Sequence, residues 1–302
     1  MKELLERVVR PVRQTFSTTY SADGAVHFDN SNLLLEVFEN TYFHLSGRTP
    51  EQEGFRVRIL STQDYWRVSD EEGASALKAF AGWCCRVKED GIHMFVNADN
   101  LLPRALSVAF HEVGHGLHEI LVPGLGWRGY EAGPTPDQVL TWRAFVEAVA
   151  MTFEVANFRI LEEQIGIEVS AFPQGWYFQD STISAIGDSV ASLPNAELYG
   201  REGYDRGRLL IWTAVLYDPE LAHLRPEFES NGRLSGASLY ELFLRLVQLE
   251  GEEIDAYIDS VTPADLTEVR QTIRTTVDGR TGRRGIEYPE LATRMQDTIL
   301  LP

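Results

Sequence analysis

The sequence predicts an α+β fold: a mixed half built of short strands and helices over residues 1–122, an almost wholly helical half over 123–302, and a cleft between them. Three observations lead there. Phe55–Leu60, Gly82–Lys88 and Ile92–Val96 form a small set of strand-like segments. The stretch Ala105–Val122, ALSVAFHEVGHGLHEILV, carries its apolar residues at helical spacing. From Asp137 onward the extended segments all read at the helical period, with breaks at Pro173, Pro194, Pro219, Gly251 and Pro263.

Taken in order, residues 1–16 read as a short amphipathic helix with Leu4, Leu5, Val8 and Val9 on one face. Thr18–Asp29 is turn-like, and Asn32–Leu45 is a second helix capped by Asn30 or Ser31. Phe55–Leu60 alternates apolar and basic residues and is the first strand; Ser61–Phe80 is mixed short helix and loop. The strands Gly82–Lys88 and Ile92–Val96 join through Glu89-Asp90-Gly91, and Asp-Gly supplies the positive φ that a tight hairpin needs. Ile92–Val96 is expected to be the exposed edge of this sheet. An extended peptide could add to it as a further strand, with His93 and Asn97 in contact; the plainer alternative is that both are solvent-facing strand residues. A Gly- and Pro-rich loop over Pro123–Pro136 follows the Ala105–Val122 helix. Helices are then expected near 137–165, 179–192, 203–217, 236–250, 262–277 and 288–299.

Composition narrows the function classes. With 302 residues and 44% hydrophobic content the chain can bury a full core. A net charge of −18 argues against nucleic acid or an anionic membrane as partner. Cys84 and Cys85 are adjacent and rarely bridge each other, so no disulfide framework is expected. The first residues lack the apolar core of a secretory signal, and no window reaches the length of a membrane span; the simplest expected location is the cytoplasm. Oligomeric state is not legible.

The chemistry concentrates in His111-Glu112-Val113-Gly114-His115. Residues four apart on a helix lie on one face, so His111 and His115 can offer two imidazoles to one metal ion. Glu112 projects from nearly the same side and can reach a water on that ion. This is the zincin pattern, with two histidines on Zn²⁺ and a glutamate as general base. The bare pattern arises by chance in roughly one chain of this length in a hundred. The alternative is a surface helix with two incidental histidines. Leu106, Val108, Phe110, Val113, Leu117 and Leu121 make the helix too apolar for that, and buried polar groups require partners. Gly114 and Gly116 weaken a helix, which makes sense where something approaches the backbone closely.

A catalytic zinc usually takes three protein ligands. Glu147 is a lone carboxylate among Phe145, Val146, Ala148, Val149 and Ala150, and a metal would explain it; the competing explanation is an ion pair with Arg143, four residues earlier. Glu154, two turns further along, could accept the N–H of a ligand imidazole and orient it, or belong to an ordinary ion pair. His118 either hydrogen-bonds near the site or packs beneath it. Arg201, Arg206 and Arg208 form a basic cluster that could hold a substrate carboxylate or carbonyl, or simply pair with acids on a solvated face.

Three segments together resemble a known family. HEVGHGLHEIL is similar to the zinc helix of the thimet oligopeptidase and oligoendopeptidase F family, His-Glu-Phe-Gly-His-Ala-Leu-His. FVEAVAMTFE at 145–154 resembles that family's Phe-Val-Glu-x-Pro-Ser-Gln-x-x-Glu. GYDRGRLLIWTAVLYDPEL at 203–221 is similar to Gly-Tyr-x-Ala-Gly-Tyr-Tyr-x-Tyr-Leu-Trp. The resemblance covers about residues 90–225 and implies a gluzincin fold that cuts short peptides in a deep channel, with Glu147 as third ligand and Glu154 as the second carboxylate. The resemblance does not extend to the family's long helical N-terminal region. In the third segment Tyr204 matches, but Arg208 stands where a tyrosine would be, so oxyanion stabilisation falls to Tyr204, Arg208 or Tyr199.

The expected activity is therefore zinc-dependent hydrolysis of peptide bonds, with His111, His115 and Glu147 on Zn²⁺, Glu112 as base, and Tyr204 and Arg208 near the oxyanion. A zinc hydrolase of a non-peptide substrate shares the same chemistry. A binding or scaffold protein with a vestigial metal site is the alternative from a different class.

Overall fold

The computed structural model describes residues 18–20, 26–28, 56–60, 62–71, 82–87, 91–97, 102–122, 136–165, 203–231, 234–264 and 269. The helices expected over 1–16, 32–45, 179–192 and 288–299, the loop over 123–135, Arg201 and Tyr199 lie outside these residues.

By contacts the chain divides into two units. The first comprises Met1–Leu121, Asn157–Glu168 and Ile286–Pro302; the second comprises Val122–Ala156 and Val169–Gly285. In the first unit, β1 (Thr18–Tyr20) and β2 (Val26–Phe28) pair antiparallel, with Thr19 opposite His27. This corrects the turn-like reading of Thr18–Asp29: three-residue strands are too short to show a period, although Ala22-Asp23-Gly24 between them supplies turn chemistry.

The second sheet carries β3 (Arg56–Leu60), β4 (Gly82–Val87) and β5 (Gly91–Asn97) in the order β3-β5-β4. β3 runs parallel to β5, with Val57 opposite Met94, and β4 runs antiparallel to it, with Trp83 opposite Phe95. The parallel pair needs a crossover, and helix α1 (Thr62–Glu71) lies within it. Tyr65 and Val68 of α1 pack with Phe95 of β5 and with Leu60. The opposite face of α1 is solvated: Arg67 pairs with Asp64 and Glu71, and Trp66 is exposed.

β5 is therefore the central strand, not the edge expected from its sequence. Its alternation reports that its two faces differ, not how many neighbours it has. His93 is 6% exposed and is not a solvent-facing residue, and Asn97 is in register with Leu60 of β3. Among the described residues the sheet's edges are β3 and β4.

Helix α2 (Leu102–Leu121) follows β5 and covers the sheet. Gly82 shows how closely. A Cβ there would lie 2.5 Å from Val108 Cγ1 and 3.0 Å from Glu112 Cγ, so β4 passes within contact of the helix at the motif. Phe110, Val113 and Leu117 of α2 are buried.

The second unit is helical. Helix α3 (Pro136–Ile165) begins there and ends in the first unit. Its residues Glu147 to Phe153 are all buried, more than a full turn, so packing surrounds the helix instead of covering one stripe. Helix α4 (Gly203–Tyr217) matches the expected 203–217. After it come a 3-10 turn over Pro219–Leu224, α5 (Arg225–Asn231), α6 (Gly236–Val247) and α7 (Glu252–Val261). The 3-10 turn, α5 and α7 were not expected, because Pro219 and Gly251 read as breaks. Both do follow the ends of helices, Tyr217 and Val247, and each also starts a new one. Pro219 follows the N-cap Asp218, whose side chain accepts from the Glu220 N–H, and Gly251 with φ 51° leads into α7. Phe153 of α3 meets Phe243 and Tyr240 of α6, with ring centroids 5.0 and 5.9 Å apart. Trp212 of α4 packs against Phe228 of α5, with ring centroids 4.3 Å apart and the planes tilted by 44°. Among the described residues no helix is long and apolar enough to cross a membrane.

Candidate metal centre

The motif turn of α2 places His111 and His115 as its period requires. Their Nε2 atoms stand 3.1 Å apart and the rings meet edge to face, with centroids 4.7 Å apart. Two nitrogens that each ligate one tetrahedral Zn²⁺ are separated by about 3.3 Å, so this spacing fits a shared ion. Glu147 of α3 completes the set. One ligand atom from each of His111, His115 and Glu147 lies within 4.8 Å of the others, and among the described residues these three form a group able to hold a metal ion. His111 is buried, His115 half-buried and Glu147 fully buried.

The donor set is two imidazoles and a carboxylate, which leaves a fourth tetrahedral position for water or substrate. The carboxylate also has a second partner. Arg143 Nη2 stands 2.6 Å from Glu147 Oε1, one helical turn before it. Both explanations offered for a buried Glu147 are thus present together, the ion pair and the ligand cluster.

Glu112 is 6% exposed, one residue from a ligand imidazole and against Gly82 of β4. Its charge is felt by Tyr65 of α1, whose phenol is pushed above its usual range by burial and then by the Glu112 carboxylate. Tyr65 was not singled out in the sequence. It lies 47 positions before Glu112, and only the fold brings α1 near α2. His118, one turn past His115, is fully enclosed. Burial, and then the charge on His115, push its pKa down to about 3, so it is neutral at ordinary pH.

The remaining expected residues sit as follows. Glu154 is half-buried on α3, two turns past Glu147, and is not in the metal-capable group. Arg208 is half-buried on α4, the helix that also holds Tyr204. His93 lies on the face of β5 that carries Phe95, with ring centroids 6.0 Å apart. Gly82, in register with Val96, marks the other face as the one that meets α2. His93 therefore lies on the sheet face turned away from the motif helix: alternation along β5 sends residues 93 and 95 to the opposite side.

No protein-family model, curated protein or solved structure matches the chain.

Proposed function

We propose that the chain is a zinc metallopeptidase with a zincin-like fold, related in mechanism to the oligopeptidases that its three segments resemble. One observation carries the reading: two imidazoles and a buried carboxylate gathered within 4.8 Å, with Glu112 buried next in sequence to one of them. His111, His115 and Glu147 would hold the ion. A bound Zn²⁺ supplies a Lewis acid that lowers the pKa of water toward neutrality.

The chain's own groups do the rest. Glu112 accepts a proton from the attacking water and returns it to the departing amine. Its burial beside β4 keeps bulk water from competing for that proton. Tyr204 and Arg208 are the candidate donors to the oxyanion. With β5 interior, β4 is, among the described residues, the edge strand that passes the motif, its Gly82 lying against Glu112. An extended substrate would pair there through backbone groups, close to the base. A non-peptide substrate would use the same groups without the strand pairing.

A second reading has one observation in its favour. The Arg143–Glu147 pair accounts for a buried carboxylate without any metal, as a scaffold protein with a vestigial site would have it. The test is Glu112→Gln assayed on a panel of quenched peptides together with metal analysis. The proposal expects zinc retained and kcat lowered by about 10²–10⁴. Full activity in that variant would remove Glu112 from the mechanism, and wild-type protein that takes up no zinc would favour the scaffold reading.

A further inference from the structure

Gly207, in the middle of α4, is buried where a side chain has no room. A Cβ there would lie 2.7 Å from Met151 Cε, 2.8 Å from the Ala144 carbonyl oxygen and 3.1 Å from the Ala148 nitrogen. All three belong to α3. Met151 is the end of a flexible side chain and can swing aside, but the other two atoms are backbone. They are also the acceptor and donor of one helical turn, since the Ala148 N–H bonds to the Ala144 carbonyl in an α-helix. Glu147 lies within that turn. Glycine costs a helix interior roughly 0.5–1 kcal/mol relative to alanine, so its presence here matches the close crossing.

We propose that Gly207 is a positioning residue for Glu147: the bare backbone of α4 seats directly on the Ala144–Ala148 turn and fixes where the third metal ligand stands. This rests on the metal-site reading above. Ordinary contact for a Cβ begins at 3.4 Å, so a methyl group at 207 forces the turn away by about half an ångström. Metal–ligand distances tolerate only about 0.2 Å. The displacement is larger than the tolerance, and an α-helical turn bonded to itself moves as a piece, taking Glu147 with it.

The experiment is a chelator-competition titration of Zn²⁺ into the metal-free full chain, alongside far-UV circular dichroism and thermal melting without metal. Gly207→Ala should stay folded and bind zinc about 10–100-fold more weakly, the range for residues that orient a ligand from outside the shell. Gly207→Ala/Met151→Ala should remain weak, because the backbone obstacle persists. A folded Gly207→Ala with wild-type zinc affinity overturns the proposal, as does full recovery in the double variant. Should Gly207→Ala not fold, hydrogen exchange on the wild type decides. Zinc should raise amide protection over 203–211 as well as 141–149, and protection confined to 141–149 overturns it. A wild type that binds no zinc overturns the metal reading and this proposal with it, and so is distinct from the other failures.

Discussion

Helices α2 and α3 contribute to the same ligand group by different physics. In α2 two imidazoles meet because residues 111 and 115 are one turn apart on one face, and their side-chain conformations bring the Nε2 atoms to 3.1 Å. In α3 a single carboxylate is buried completely, beside Arg143, in the Ala144–Ala148 turn whose backbone Gly207 approaches. The first arrangement is local and survives wherever the helix forms. The second exists only in the packed protein. The difference teaches that the imidazole pair should tolerate change in its surroundings, whereas Glu147 depends on its neighbours.

Arg143→Met sharpens this contrast most. It leaves the Glu147 carboxylate buried without the guanidinium 2.6 Å away. Removing one partner of a buried ion pair costs about 3–5 kcal/mol, less here because Arg143 is partly exposed. Thermal melting of the metal-free variant should show that loss, and added zinc should recover more stability than in wild type because the ion replaces the missing positive charge. Equal responses to zinc in both proteins would mean that Arg143 and the ion do not act on the same carboxylate.

A smaller effect probes α2. His118 has its pKa lowered to about 3 from 6.5, by burial and by His115. The folded chain refuses a proton that the unfolded chain accepts once pH falls below about 6.5, so this group removes stability as pH drops from there toward 3. The slope is at most about 1.4 kcal/mol per pH unit. Urea titrations of metal-free His118→Leu over that range should show a flatter acid decline than wild type. An unchanged slope would mean that His118 is protonated in the folded protein.

The same contrast explains what was legible in the sequence. The helix bearing His111, Glu112 and His115, the strands on either side of Asp90-Gly91, and the helices at 137–165 and 203–217 were legible because period and turn chemistry are local properties. Glu147 stood out because a carboxylate interrupts an apolar run. The central place of β5 is not legible, since alternation does not reveal which neighbours a strand has, and neither substrate contact nor solvent exposure at His93 follows from the pattern alone. Pro219 and Gly251 read as breaks and also begin helices, because both residues serve either end. Gly207, Gly82 and Tyr65 matter through contacts with residues far off in the chain, which no window of sequence displays.

The most direct test of the central claim is the zinc stoichiometry and affinity of the wild-type chain beside Glu147→Ala, measured on folded protein at neutral pH. The account predicts one ion per wild-type chain and binding weakened by at least about 10–100-fold in the variant, since a direct ligand should matter no less than a residue that orients one. Equal zinc binding by both proteins, or none by either, would contradict it.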